Sequence, residues 1–253
     1  MKITFLGTGT SQGVPVIACN CKTCMSADSR DKRLRSSLLI ETGGQVIVID
    51  AGPDFRQQML RAGVHKLDSI LLTHEHKDHI GGMDDVRAYN YISKKPIDIY
   101  CDERVQKAVK REYPYVFSEH KYPGVPQMNL ITIGNKTFSV GGLEVIPVKV
   151  QHYRLPVYGF RIGKLAYVTD ANYISDESKQ KLMGVEIMVI NALRKEEHLS
   201  HFNLAEAIEL VKEISPRKGF ITHISHQMGL HAEVSKELPD GVELAYDGLY
   251  LEI

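Results

Sequence analysis

The stretch Leu71–Gly82 reads LLTHEHKDHIGG. It sets His74, His76, Asp78 and His79 within six positions, directly after the apolar run Ser69–Thr73. Each of these side chains offers a lone pair to a borderline or hard cation. In an extended segment residues i and i+2 point the same way, so His74 and His76 can share one ion. Asp78 and His79 are neighbours and must point apart, which suits a second ion close by. The chain has only 11 histidines, so three beside an aspartate are hard to read as an ordinary polar loop. Single positions exclude two other metal patterns. H-E-x-x-H counted from His74 requires a histidine where Asp78 stands, and His-x-Glu-x-Asp requires a glutamate where His76 stands. Metal-assisted hydrolysis is the chemistry that remains.

Outward from this motif the chain alternates short apolar runs with amphipathic ones. Strands are expected at 3–6, 37–41 and 45–50, the last two joined by a hairpin turn at Gly43-Gly44. A helix is expected from Pro53, carrying Phe55, Met59 and Leu60 inward, and others over 83–92 and 103–112. The second half repeats the style, with strands near 129–133, 137–140, 143–150, 157–162, 165–169, 186–191 and 219–222. Helices are expected near 176–183 and over 204–214, the latter capped by Asn203. The close reads as a helix followed by a hairpin turned at Asp247-Gly248. Strand-rich halves with interleaved helices predict a layered α/β sandwich, one domain over 1–253.

Composition narrows the partners. Of 253 residues, 43% are hydrophobic and 25% charged, and Lys+Arg and Asp+Glu both number 31. A protein that tracks a long polyanion carries a basic excess, so nucleic acid is disfavoured as a partner. No run of apolar residues is long enough to span a membrane. "VIAC" at 16–19 has the shape of a lipoprotein cleavage site, but the preceding GTGTSQGVP is no hydrophobic region, and a cytoplasmic protein is expected. Three of the four cysteines, Cys19, Cys21 and Cys24, lie in ACNCKTC. In a reducing compartment such a cluster points to metal rather than disulfides, and a Cys19–Cys21 bridge would be strained. The fourth ligand is not visible in the spacing.

H-x-H-x-D-H after a buried strand resembles the signature of the metallo-β-lactamase superfamily, and the resemblance spans nearly the whole chain. It implies an αββα four-layer sandwich, two mixed β-sheets flanked by helices, with a dinuclear centre at one edge. Asp50 in VIVIDAG resembles a supporting carboxylate. His152 matches a third ligand of the first metal beside His74 and His76. Asp170 in LAYVTDA matches the carboxylate bridging both metals, and His223 in FITHISH completes the second with Asp78 and His79.

GTGTSQGVPVIACNCKTC followed by RLRSSLLI is similar to the PhnP-type phosphodiesterases, which hydrolyse phosphoribosyl 1,2-cyclic phosphate. That likeness implies a structural zinc on Cys19, Cys21, Cys24 and His226, and a homodimer. GTGTSQG itself lacks G-x-G-x-x-G spacing and a following helix, so a tight turn under the site is expected rather than a phosphate loop. SHFNLAEA resembles a segment in which a helix-entry histidine approaches the leaving oxygen, here His201. His65, His120, His198 and His231 show no such context. The implied reaction is hydrolysis of a small, cyclic phosphodiester by a hydroxide bridging two divalent ions, zinc, manganese or iron, about 3.5–4 Å apart. Asp78 would orient the nucleophile and His201 would protonate the leaving group. The alternatives are a tRNA 3′-end nuclease, whose basic arm is not visible here, a thioesterase or lactonase, and a non-enzymatic metal-binding protein.

Overall fold

The computed structural model describes residues 1–253. The strands are β1 (Lys2–Gly7), β2 (Ser37–Thr42), β3 (Gln45–Ile49), β4 (Ser69–Leu71), β5 (Ile97–Cys101), β6 (Met128–Thr132) and β7 (Phe138–Val140). Then come β8 (Leu143–His152), β9 (Leu155–Ile162), β10 (Leu165–Val168), β11 (Ile187–Asn191), β12 (Lys218–Thr222), β13 (Val242–Leu244) and β14 (Tyr250–Glu252). They form two seven-stranded sheets, ordered β14-β1-β2-β3-β4-β5-β6 and β13-β12-β11-β10-β9-β8-β7. Both are mixed. β3 to β6 run parallel and β1 to β3 antiparallel. In the second sheet β10 to β13 run parallel and β7 to β10 antiparallel.

The reason for the sandwich is visible in single strands. Ile47 and Ile49 of β3 enter the core between the sheets, whereas Val48 faces the helices outside. Across the interface Ile187 and Val189 of β11 face inward, and Met188 and Ile190 face the other helical layer. Strands covered on both faces read as unbroken apolar runs, as VIVI and IMVI do. The helical layers include Phe55–Ala62 and Glu103–Glu112 on one side, Asp176–Leu182 and Leu204–Ile214 on the other. Asn203 and Glu206 close a full capping box on the last of these. Thus the αββα sandwich is observed as expected.

Two local expectations differ. The first helix starts at Phe55 rather than Pro53, which turns Phe55, Gln58 and Met59 inward and leaves Leu60 65% exposed. Gln58 takes the inner place because its Nε2 donates to Arg35 O at 2.8 Å. The closing hairpin is not one. β13 extends the second sheet and β14 the first, so Asp247-Gly248 carries the chain across the sandwich. Asp247 is held there by Thr8 Oγ1 and the Leu34 N–H, both at 2.8 Å. The turn signal is local, but pairing partners are set by tertiary contacts.

Parallel ladders point the carboxyl ends of β3, β4, β10, β11 and β12 to one edge of the sandwich, the place where open α/β sheets assemble their sites. β8 is parallel in sense to β10 through two antiparallel steps, so it ends there too.

Candidate metal centre

Every residue expected at the dinuclear centre lies at that edge. Asp50 follows β3, His74 to His79 follow β4, His152 ends β8, Asp170 follows β10 and His223 follows β12. Asp50, Asp170 and His223 have φ of 62°, 56° and 55°, the left-handed region rarely used by residues with a Cβ. Such backbone is costly and collects at functional sites. Gly52 and Gly82 let the loop after β3 approach the histidine loop: a Cβ on Gly52 would stand 2.0 Å from Asp78 O, and one on Gly82 2.1 Å from Gly52 O.

Donor atoms gather in three overlapping groups: His74, His76 and His152; Asp78, His79, Asp170 and His223; and His152, Asp170 and His201. Within each group they lie no more than 4.8 Å apart. Asp170 belongs to two of them, grouped with Asp78, His79 and His223 and with His152 and His201. Asp78 and His79 do not diverge. The chain turns into the short helix Lys77–Ile80, and Asp78 Oδ2 comes within 3.2 Å of His79 Nε2. His79 Nε2 is also 3.2 Å from Asp170 Oδ2, and His223 Nε2 is 3.2 Å from Asp170 Oδ1. His74 Nε2 and His76 Nδ1 stand 3.0 Å apart. His76 is exposed while His74 and His152 are buried, so the centre opens to solvent on its side.

The protons decide whether a cation fits. Thr73 Oγ1 donates its single hydrogen to Asp50, at 2.9 Å from Oδ2, so the contact to His74 Nδ1 at 3.0 Å is donated by the ring. His79 Nδ1 donates to Asp50 Oδ2 at 2.7 Å. His152 Nδ1 donates to Ser200 O at 2.8 Å. Ser36 Oγ donates to Gly9 O, so it accepts from His223 Nδ1 at 3.2 Å. Each of these four rings, when neutral, therefore turns a bare Nε2 toward the cluster. The buried His79 Nε2 has no hydrogen-bond partner, and Thr10 Oγ1 lies 3.3 Å from that of His223. Lone pairs facing lone pairs and carboxylates repel unless a cation stands among them. The residues fit divalent ions, and their outer partners fix the rings as metal-site second partners do.

Electrostatics agree. Burial pushes His74 well below its ordinary value and lowers His76 and His223. Burial opposes charge on Asp170, yet His223 and His79 hold its carboxyl well below the usual carboxylate range. Burial likewise disfavours a charged His79, but Asp78, Asp170 and Asp50 outweigh it and raise this imidazole well above 6.5. Without metal, His79 is thus the cation among three carboxylates. A bound metal would take the place of that proton.

His201 is buried, with its rings' centroid 4.7 Å from that of His152 and 5.0 Å from that of His223. Its Nδ1 is unpaired, 3.9 Å from Asp170 Oδ1. Burial pushes this imidazole down to about 3, so the ring is neutral. His198, which showed no context in the sequence, stands 5.2 Å from His201 and takes the Ser200 N–H on Nδ1. His231 is buried against Arg33, while His65 and His120 are exposed.

The cysteines form a second group. Sγ of Cys19, Cys21 and Cys24 lie 3.3, 3.3 and 3.5 Å from His226 Nδ1. Zinc bonds of about 2.3 Å to sulfur and 2.0 Å to nitrogen at a tetrahedral angle put sulfur and nitrogen roughly 3.6 Å apart. One ring N–H cannot satisfy three sulfurs, so the packing suits a closed Cys₃His site. The Cys24 N–H donated to Cys21 Sγ is the main cause that brings the Cys21 thiol down to about 6, whereas burial pushes Cys24 up to about 11.

An αββα sandwich with His/Asp clusters suited to metal at one edge defines a metallo-hydrolase. The chain belongs to the β-lactamase superfamily: the family model described as "Beta-lactamase superfamily domain" matches residues 45–224. A curated relative, an octanoyltransferase from Porphyromonas gingivalis, is 40% identical over 252 residues, 98% of this chain. The chain spans about half of that relative's length, 51%. A crystal structure described as a new diphosphatase from the PhnP family superposes with a TM-score of 0.93 at 37% identity, covering 100% of this chain and 97% of that one. Zinc-bound PqqB from Methylobacterium extorquens shares the fold, with a TM-score of 0.82 at 21% identity and full coverage of both chains. No helix is long and apolar enough to cross a membrane.

Proposed function

We propose that the chain is a metal-dependent phosphodiesterase of the PhnP type acting on a small diester, with phosphoribosyl cyclic phosphate or a related compound as substrate. The observation that carries this reading is His201, an imidazole buried between His152 and His223 with an unpaired nitrogen at the centre. A dinuclear site already has its ligands without it, so it is available to the substrate. Similarity to a structure described as a PhnP-family diphosphatase supports the phosphate chemistry. The octanoyltransferase is about twice as long as the matched region, and acyl transfer is not assigned to this chain.

His74, His76 and His152 together with Asp78, His79, Asp170 and His223 would hold two divalent ions, zinc, manganese or iron, which would supply the charge that neutralises a phosphoryl oxygen and acidifies water. Asp78, close against His79, orients the attacking side. His201, neutral in the free protein, would hydrogen-bond the departing oxygen through its single N–H as negative charge develops there, and the proton the alkoxide finally takes would come from the attacking water. Cys19, Cys21, Cys24 and His226 hold a structural zinc. Zero net charge disfavours nucleic acid; a cytoplasmic homodimer belongs to the same reading.

The test is a panel of cyclic phosphates, bis(4-nitrophenyl) phosphate and RNA, with metal content measured alongside. Consumption of a small diester, abolished by chelator and restored by zinc or manganese, is expected. RNA trimming without small-diester turnover would favour a nuclease, and bound metal without hydrolysis a binding protein. His201→Ala should lower turnover with metals retained, least for leaving groups that depart without a proton.

A further inference from the structure

Asp170 is followed two residues later by Asn172, and this side chain joins three loops of the centre. Its Oδ1 accepts the Tyr153 N–H at 2.7 Å, and its Nδ2 donates to Leu199 O at 3.1 Å. Its own backbone N–H donates to Gln151 O at 2.8 Å. Gln151 and Tyr153 flank His152, so Asn172 brackets that ligand from both sides. Tyr153 is held at a φ of 57°, a conformation that gains from an external partner for its N–H. Leu199 lies two residues before His201. The neighbouring Ser200 O is the acceptor that fixes the His152 ring.

We propose that Asn172 is a positioning residue that sets the His201 loop against His152, so that the ring offered to the leaving oxygen and a metal ligand keep one fixed relation. Only an amide does this. The Tyr153 N–H needs an acceptor, Leu199 O needs a donor, and one asparagine side chain presents both. The loop has few other ties: Phe202 N–H donates to Ala171 O and Leu193 N–H to Phe202 O, both C-terminal of His201. On its N-terminal side Arg194 Nη2 donates to Glu197 O at 2.8 Å and the Ser200 N–H to His198 Nδ1 at 3.3 Å, both within the same stretch, whereas Asn172 and the His152 ring tie it to the end of β8. This inference rests on the phosphodiesterase reading for its kinetic consequence but not for its geometric one.

The experiment therefore has two arms, on Asn172→Asp and Asn172→Ala. Aspartate keeps the acceptor for Tyr153 and loses the donor to Leu199; alanine loses both. In hydrogen exchange both variants should raise the rate at residues 198–202 by about tenfold or more, and only alanine should do so around Tyr153. In kinetics on aryl phosphodiesters of graded leaving-group basicity, both should lower kcat about 10- to 100-fold with KM little changed, most for basic leaving groups. Added to His201→Ala, either should cost less than about threefold more, since the two act on one step. Unchanged exchange at 198–202 would overturn the proposal even if the protein hydrolyses no diester. A kcat loss equal across leaving groups, or fully multiplied in the double variant, would overturn it in an active enzyme. A wild type inactive on every diester would sink the functional reading, leaving the exchange arm to decide this one.

Discussion

Asp50 stands outside the donor groups of the centre, yet it decides how two histidines are protonated. It accepts from His79 Nδ1 and from the Thr73 hydroxyl, which thereby accepts from His74. Asp50→Asn would offer an N–H where a lone pair is needed, and the His79 ring would lose the partner that bares Nε2. Metal affinity should fall by about 10- to 100-fold while the fold is retained; titration of the metal-free variant with zinc, followed by calorimetry, checks it. An unchanged affinity would remove Asp50 from its role. The residues that gather at the centre were legible in the sequence because histidine, aspartate and their spacing carry their chemistry openly. Thr73, Ser36, Ser200 and Asn172 were not, since each acts through a hydroxyl, an amide or a backbone carbonyl found at ordinary positions in any loop. The placement of His198, tilted beside His201, was not legible either, because no spacing rule tells a packed ring from a surface one.

At the level of elements, the cysteine segment and the turn after β12 behave as one unit. Ile224 N–H donates to Thr8 O, and His226 stands three residues beyond His223. Cys21→Ser should release one zinc per chain, lower stability, and weaken the second catalytic metal through a loosened His223, with activity partly restored by excess metal. Metal content per chain in wild type and variant is the measurement, and an unchanged zinc count would refute it. Nearby, Arg33 Nη2 donates to His231 Nδ1 at 3.2 Å in the interior. Burial, then the Arg33 and Arg30 charges, push His231 down to about 4, although Asp28 and Asp31 act the other way. The unfolded chain takes up this proton near pH 6.5, whereas the folded one resists until about pH 4. The contribution is therefore complete above about pH 6.5 and declines as pH falls toward 4, by roughly 2 kcal/mol between pH 7.5 and pH 5. His231→Gln keeps an acceptor for Arg33 without titrating, so denaturant unfolding should show a shallower pH dependence for it than for wild type. The hairpin at Gly43-Gly44, with φ of 56° and 75°, and the helix 204–214 were readable because turn and cap signals are local. The destination of Asp247-Gly248 was not, because nothing in a turn names the sheet that receives the next strand.

For the whole molecule, the alternation of unbroken apolar strands with amphipathic helices was enough to predict layers, and the histidine motif to predict which edge they serve. The pairing order of fourteen strands was beyond it. β14 lies outside β1, and Phe5 exchanges backbone hydrogen bonds with Gly248 and Leu249. Removing residues 246–253 should leave β1 as a bare edge beside Phe5 and Ile3 and deprive Thr8 and Leu34 of Asp247, so soluble yield should drop and light scattering rise. A soluble, monodisperse truncated chain would contradict this.

That crossing also has a temporal side. During translation β1 emerges long before β14, with a delay on the order of tens of seconds at ordinary elongation rates. Once β6 has emerged, about half-way through that interval, the first sheet has every strand but β14 and an open ladder at its end. The half-molecule made first is thus a sticky intermediate that β14 must close, and a chaperone that shields an unpaired strand edge would act in that interval.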